Sequence, residues 1–237
     1  KIVYKYTDIS KLFEPDYGVN LNRLEIPVDP YEAFKCDVPN LSTSLYFVVN
    51  DAFYTKALPK SHLPEGVVVG SLAAAAAGNP DFIAKYYAQL AKTADDGVNA
   101  LNTMLAQDGL YVYVPKNVKV DRAIQIINIL RSDVDMMVNR RVLIVVEEGA
   151  EIKLLFCDHS ADDCNFLAPQ VIEAYVGDNA SLDLYCLEET HAKNVRVSNL
   201  YINQNANSRV NHNVITLHNG ITRNTTTLTF CGEGAEC

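Results

Sequence analysis

From residue 110 onward, apolar residues either alternate with polar ones or run in short blocks rich in Val, Ile, Thr and Tyr. That pattern predicts strands at 110–114, 124–130, 142–146, 152–156, 171–176, 182–187, 195–202, 210–217 and 225–231. A short phrase punctuates them: an apolar residue, a tight turn holding Gly or Asn, a small or branched apolar residue, then renewed alternation. It occurs around Asn117-Val118, Gly149-Ala150, Asn179-Ala180, Asn205-Ala206 and Gly234-Ala235, at steps of 32, 30, 26 and 29 residues. Gly and Asn enter the left-handed backbone region at least cost, which suits a turn that must bend the same way each time. A near-constant period of this length means stacked units, each burying its apolar face against its neighbours.

The first 109 residues read differently. Residues 1–43 are irregular and broken by Pro15, Pro27 and Pro39, with short helices expected from Thr7-Asp8 through Phe13 and from Asp29-Pro30 through Phe34. A strand at 44–49 turns at Asn50-Asp51 into 52–54, and a short strand follows at 67–69. Helices are predicted over 71–77, 81–91 and 97–107. In the last, Val98, Leu101 and Leu105 share one face, Asp95 or Asp96 caps the start, and Gly109 provides the exit. The division is thus a mixed region over 1–109 and a repeat region over 110–237. The repeat region reads as truncated at its C-terminus, because Cys237 falls where a fresh strand should begin.

Two topologies accommodate the repeat: an antiparallel sandwich of hairpins, or a parallel β-helix flattened so that each coil gives one strand to each of two facing sheets. The constant turn chemistry at constant phase favours the β-helix, and Asn203, Asn205, Asn207, Asn211 and Asn213 are expected to stack as ladders at its corners. The fold class is therefore mainly β, preceded by a small α/β region. A formal charge of −9 argues against nucleic acid or an anionic membrane as the main partner. The six cysteines, at 36, 157, 164, 186, 231 and 237, form no CxxC pair and point to reduced thiols in the cytoplasm. The longest run of low charge, 67–78, is too short for a membrane span.

Several segments together resemble the SufB/SufD family of the SUF iron–sulfur cluster assembly machinery. They are Lys5-Tyr6-Thr7-Asp8-Ile9, Leu45 through Asp51, Pro64-Glu65-Gly66-Val67 with Ser71-Leu72, and Ala100-Leu101-Asn102. Gln107-Asp108-Gly109, Val114 through Val118, Gly220 through Asn224, and Gly232 through Glu236 complete the set. The 44–53 unit and the 102–118 run are of the SufD kind. The resemblance implies a right-handed parallel β-helix. It implies a non-enzymatic scaffold subunit that works with a SufB-like subunit and a SufC-like ABC ATPase in assembling clusters and bringing iron into the scaffold. It also implies that an N-terminal helical segment and further C-terminal coils, with the interface His and Cys positions, are absent here. No cofactor is expected on this chain itself, with iron or an Fe–S cluster passing transiently in the full complex. A homodimer is a further candidate assembly.

Among local constellations, Cys157, His159 and Cys164 have ligand chemistry, as do Cys231 and Cys237 around the last turn. Each also reads as ordinary packing: Cys157 at a strand end before a solvated loop over 158–165, Cys186 as a buried small residue, and Cys231 and Cys237 in the core. His212 and His218, six apart, share a face if their strand is unbroken. His191 is expected in a solvated acid–base contact. Arg223-Asn224 reads equally as a corner holding backbone carbonyls or as the lining of a groove. The rival class is a β-helical polysaccharide lyase or hydrolase using Asp158, Asp162, Asp163, Glu188 and Glu189, placed by their pattern in inter-coil turns. The absence of Trp leaves that reading little aromatic surface for stacking sugars.

Overall fold

The computed structural model describes residues 4–33, 44–60, 63–94, 96–161 and 163–237. The expected roles of Phe34, Cys36, Asp95 and Asp162 fall outside them. Short helices α1 (Ile9–Leu12) and α2 (Pro30–Ala33) precede the hairpin β1 (Ser44–Val49) and β2 (Ala52–Phe53), then β3 (Val68–Ser71) and helices α3 (Leu72–Gly78), α4 (Pro80–Ala84) and α5 (Gly97–Leu105). Strands β4 (Leu110–Val114), β5 (Ile124–Leu130), β6 (Met136–Met137), β7 (Arg140–Val146), β8 (Glu151–Ser160) and β9 (Phe166–Val176) follow. The chain closes with β10 (Ser181–Glu189), β11 (Val195–Gln204), β12 (Arg209–His218) and β13 (Ile221–Phe230).

Two facing sheets are ordered β12-β10-β8-β5-β1-β2 (sheet B) and β13-β11-β9-β7-β4-β3 (sheet A), and from β7 onward successive strands alternate between them. From β4 onward the pairing is parallel, as in a β-solenoid of about four turns. Parallel strands are buried on both faces here: every residue of β5 and β7 is buried, the polar Gln125, Asn128, Arg140 and Arg141 included. β1 lies in parallel register beside β5, so sheet B takes strands from either side of residue 109. Between the sheets runs one apolar core, in which Ile126, Phe156 and Cys186 from sheet B meet Ile144, Ile172 and Leu200 from sheet A.

One corner of every coil is tight and left-handed: Asn117, Gly149, Asn179, Asn207 and Gly234 all have positive φ. The fourth copy of the phrase is therefore Asn207-Ser208 rather than Asn205-Ala206, and the spacing becomes 32, 30, 28 and 27 residues. The N–H of Asn117, Gly149, Asn179 and Asn207 donates at 2.8–2.9 Å to a carbonyl of the next coil's corner, so the turns are bonded as a column. Close stacking also fixes Gly177, where an added Cβ would lie 2.7 Å from the backbone nitrogen of Glu148. The expected Asn ladder does not form at the corners. Asn205 and Asn207 are there, but Asn203, Asn211 and Asn213 lie on β11 and β12 and bond Cys231, Tyr185 and Asn211 respectively.

Helices α3, α4 and α5 lie against the outer face of sheet A, whereas Tyr31 of α2 packs edge-on against Phe47 of sheet B at 4.9 Å. α4 ends at Ala84, earlier than the apolar pattern suggests, and Ala88 beyond it adopts φ 60°. The cause is Glu173 of β9, fully buried, whose carboxylate accepts the backbone N–H of Ala88, Leu90 and Ala91 at 2.8–3.0 Å. The same carboxylate pairs with the buried Arg141, whose guanidinium stacks 4.4 Å over Tyr87. On α5 the buried face is Val98, Asn99 and Asn102 rather than Val98, Leu101 and Leu105. Asn102 donates to the carbonyls of Arg140 and Pro169 at 2.9 and 3.2 Å, and Asn99 donates to the Tyr201 hydroxyl at 2.8 Å. The outer face of sheet B is covered by Val28, Tyr54 and Ala57, packed on Phe47, Ile127, Ile129 and Cys157.

Candidate functional site

Only half of the space between the sheets is apolar. Each strand of sheet B carries its inward column past the hydrocarbon core into polar residues, and the register stacks Asn128, Asp158, Glu188 and Thr216 from successive coils. Facing them on sheet A, Arg140, Gln170, Ser198 and Asn224 form a second column, with Ala168, Arg196 and Thr222 beside it. Strand neighbours in a sheet lie about 4.8 Å apart, so groups about 30 residues distant in sequence become adjacent.

These side chains neutralise one another. Asp158, 3% exposed, accepts from Arg140 at 2.9 Å and from Asn128 at 2.8 Å, and also pairs with Arg196. Arg196 in turn reaches Glu188 at 3.1 Å, and Glu188 accepts from Thr216 at 2.9 Å and Asn224 at 3.0 Å. The small Ala168 beside Arg196 leaves its long side chain room to run along the axis toward Asp158. Burial works to raise the Asp158 carboxyl, but the Arg196 and Arg140 guanidiniums outweigh it and hold the group below the ordinary carboxylate range. The outcome is a file of two acids and two bases with no net charge, which satisfies the rule that buried charges are paired.

This corrects the reading of the acids as turn residues. Asp158 and Glu188 sit inside the solenoid, where neither faces a solvent groove as an acid–base pair for glycoside chemistry requires. Asp163 and Glu189 are exposed, and Asp163 contacts His191 at 3.3 Å in the expected acid–base contact. Arg223 and Asn224 do neither of the things expected of them: both lie on β13. Arg223 points outward to the Thr7 hydroxyl at 3.1 Å and the Tyr4 ring, while Asn224 points inward to Glu188.

The thiols and imidazoles are dispersed. Cys157 and His159 alternate with Asp158 on β8, so they share the covered outer face of sheet B, and the strand continues to Ser160 where a loop was expected. Cys164 bonds the Ser132 carbonyl at 3.3 Å in the long corner. Cys186 is buried in the core, as expected, and burial pushes its thiol up to about 12. Cys231 and Cys237 are exposed rather than in the core, and Cys231 accepts from the Asn203 amide at 3.2 Å. His212 faces inward beside Leu184, whereas a shift of register between Glu188 and Glu189 brings His218 beside Glu189, so the two imidazoles do not share a face. Among the described residues, no group of three or more His, Cys, Asp or Glu is arranged to hold a metal ion.

Residues 3–126 match the family model of the SufBD protein N-terminal region, and residues 128–237 match that of the SUF system FeS cluster assembly SufBD core domain. An iron-sulfur cluster assembly SufBD family protein of Synechocystis is 32% identical over 54% of this chain and 27% of its own length. A chloroplastic one of Arabidopsis thaliana is 31% identical over 59% of the chain and 24% of its length. One of Staphylococcus epidermidis is 22% identical over 97% of the chain and 53% of its length. The chain thus spans between about a quarter and about half of these relatives. With both regions of the family matched in order along a two-sheet solenoid, the chain belongs to the SufB/SufD family of iron–sulfur cluster assembly proteins.

Proposed function

We propose that the chain acts as a SufD-type scaffold subunit, without catalysis of its own, in a cytoplasmic assembly with a SufB-like subunit and a SufC-like ABC ATPase. Iron or a nascent cluster is the assembly's cargo, held transiently in the full complex. The observation that carries the reading is structural use of the SufD-like run over 102–118. Asn102 is fully buried and ties α5 to two strands, Gly109 lies where a Cβ would meet the Arg141 carbonyl at 2.2 Å, and Asn117 opens the first tight corner. The residues that distinguish the SufD kind are therefore those the frame needs. A frame whose interior acids and bases pair with one another suits a part that positions others.

Co-expression of the full-length protein with its SufB-like and SufC-like partners, followed by gentle lysis and affinity purification, tests the proposal. All three should elute together. If the two partners associate while this protein stays alone, the SufD-type assignment is wrong.

A further inference from the structure

The outer face of sheet A holds a cleft that the scaffold role leaves unused. It lies between β3, α3, α4 and β4, with a volume of about 380 Å3, within the range of small-ligand sites. Phe82, Tyr111 and Tyr113 form its walls, and Gly66 and Gly78 leave its rim without side chains. The rings are set at angles: Phe82 meets Tyr113 at 85° with centroids 5.4 Å apart, and Tyr86 backs Phe82 at 5.1 Å and 54°. Tyr111 and Tyr113 are nearly parallel, at 10° and 6.4 Å. Three aromatic side chains in different orientations thus line one open space, whose edge residue Val68 is 41% exposed.

The described residues that line the cleft carry no charge, and an acid lies close by. Glu147 follows β7, and Val145 of that strand is paired with Tyr113. The Glu147 N–H donates to the Val114 carbonyl at 3.0 Å, which sets this residue beside the end of the strand that carries Tyr113; burial first, and then the Glu147 carboxylate, push the Tyr113 and Tyr86 hydroxyls above their ordinary range. The neighbouring Glu148 is paired with Lys116, whose ammonium also feels the Glu147 carboxylate; among the described residues Glu147 makes no ion pair, and no Lys or Arg lines the cleft. Ring faces carry negative quadrupole charge and attract cations held against them.

We propose that this cleft binds an organic cation: an ammonium or guanidinium head group held against Phe82, Tyr111 and Tyr113, with Glu147 as its counter-charge. The head group comes either from a Lys or Arg side chain of a partner or from a free quaternary amine. The probes are choline, its neutral isostere 3,3-dimethylbutan-1-ol, N-acetyl-lysinamide and N-acetyl-argininamide, each titrated into the protein by calorimetry and by tyrosine fluorescence.

A cation–π contribution of about 0.5–2 kcal/mol corresponds to a preference for choline over the isostere of roughly 2–30-fold. Tyr113→Leu and Glu147→Gln should each weaken cation binding, and Glu147→Gln should leave the melting temperature unchanged. Tighter binding of choline than of the side-chain probes assigns a free amine, and the reverse assigns a partner residue. Equal binding of choline and its isostere overturns the proposal. So does the lack of any titration by the three cations at tens of millimolar, or unchanged cation binding in a folded Glu147→Gln protein.

Discussion

Asp158→Asn removes one charge from the centre of the interior file while keeping the shape of the side chain. It removes the acid that Arg140 pairs with inside the file, 2.9 Å away, and leaves Arg196 with Glu188 alone at 3.1 Å. Breaking a buried pair by removing one partner costs about 3–5 kcal/mol, because the surviving charge stays desolvated. The amide oxygen still accepts one hydrogen bond and Glu188 still serves Arg196, so the cost should fall near the lower figure, about 3 kcal/mol. With a urea dependence of about 1–3 kcal/mol per molar, the unfolding midpoint drops by about 1–3 M. Tyrosine fluorescence is the natural probe, since the chain has 13 Tyr and no Trp. Asp183→Asn is the control, as its contact with Lys153 is 4.0 Å long and that lysine is 63% exposed; it should cost less than about 1 kcal/mol. Equal midpoints for the two variants would refute the claim that the interior file is a desolvated, mutually dependent set.

Two further tests address other parts of the frame. Gly177→Ala places a Cβ 2.7 Å from the backbone of the adjacent corner and should destabilise by about 1–3 kcal/mol. Gly78→Ala, with nothing within 4 Å, should be neutral or raise stability by up to about 1 kcal/mol, and thermal melts of both separate steric stacking from a general intolerance of substitution. Stability should also fall as pH drops below 6.5. Burial holds the His159 and His212 imidazoles below that ordinary value, so the unfolded chain takes up their protons first and gains from acid. Asp158, with its native carboxyl held below 3.8, adds a second loss at lower pH, as protons reach it in the unfolded chain before the native one. Urea midpoints at pH 7.5 and 5.5 check the first step, and replacing both histidines by Gln should flatten it.

The solenoid was legible because its two strongest devices are local. Apolar blocks mark the strands, and a left-handed Gly or Asn marks each corner, so every strand predicted after residue 110 is present. The fourth corner was misplaced by two residues because Asn205-Ala206 imitates the phrase, while the true pair, Asn207-Ser208, puts a hydroxyl where the other copies have an apolar residue. The interior file escaped for a different reason. Strands were closed where the apolar run closed, yet β8 and β10 continue through polar residues whose partners lie in other coils, and β9 begins five residues earlier, at Phe166. The signal was available in the 30-residue spacing of Asn128, Asp158 and Glu188, which repeats the period of the corners. Asn99 and Asn102 were hidden similarly, since an apolar helical stripe selects Leu101 and Leu105 and cannot register amides that bond the backbone of a neighbouring sheet.

Arg196 imposes an order in time as well as in space. It answers Asp158 across 38 residues of sequence and holds Glu188 as well. During synthesis at roughly 5–20 residues per second, a few seconds pass between the appearance of Asp158 and that of Arg196. For most of that interval Asp158 faces the single base Arg140, and Glu188, which follows Asp158 by 30 residues, adds a second acid 8 residues before Arg196. The polar half of the interior therefore regains charge balance only when β11 of sheet A arrives. Its apolar half can collapse as it emerges, so the two halves of one cross-section close at different moments. Arg196 is the residue whose arrival dries the interior.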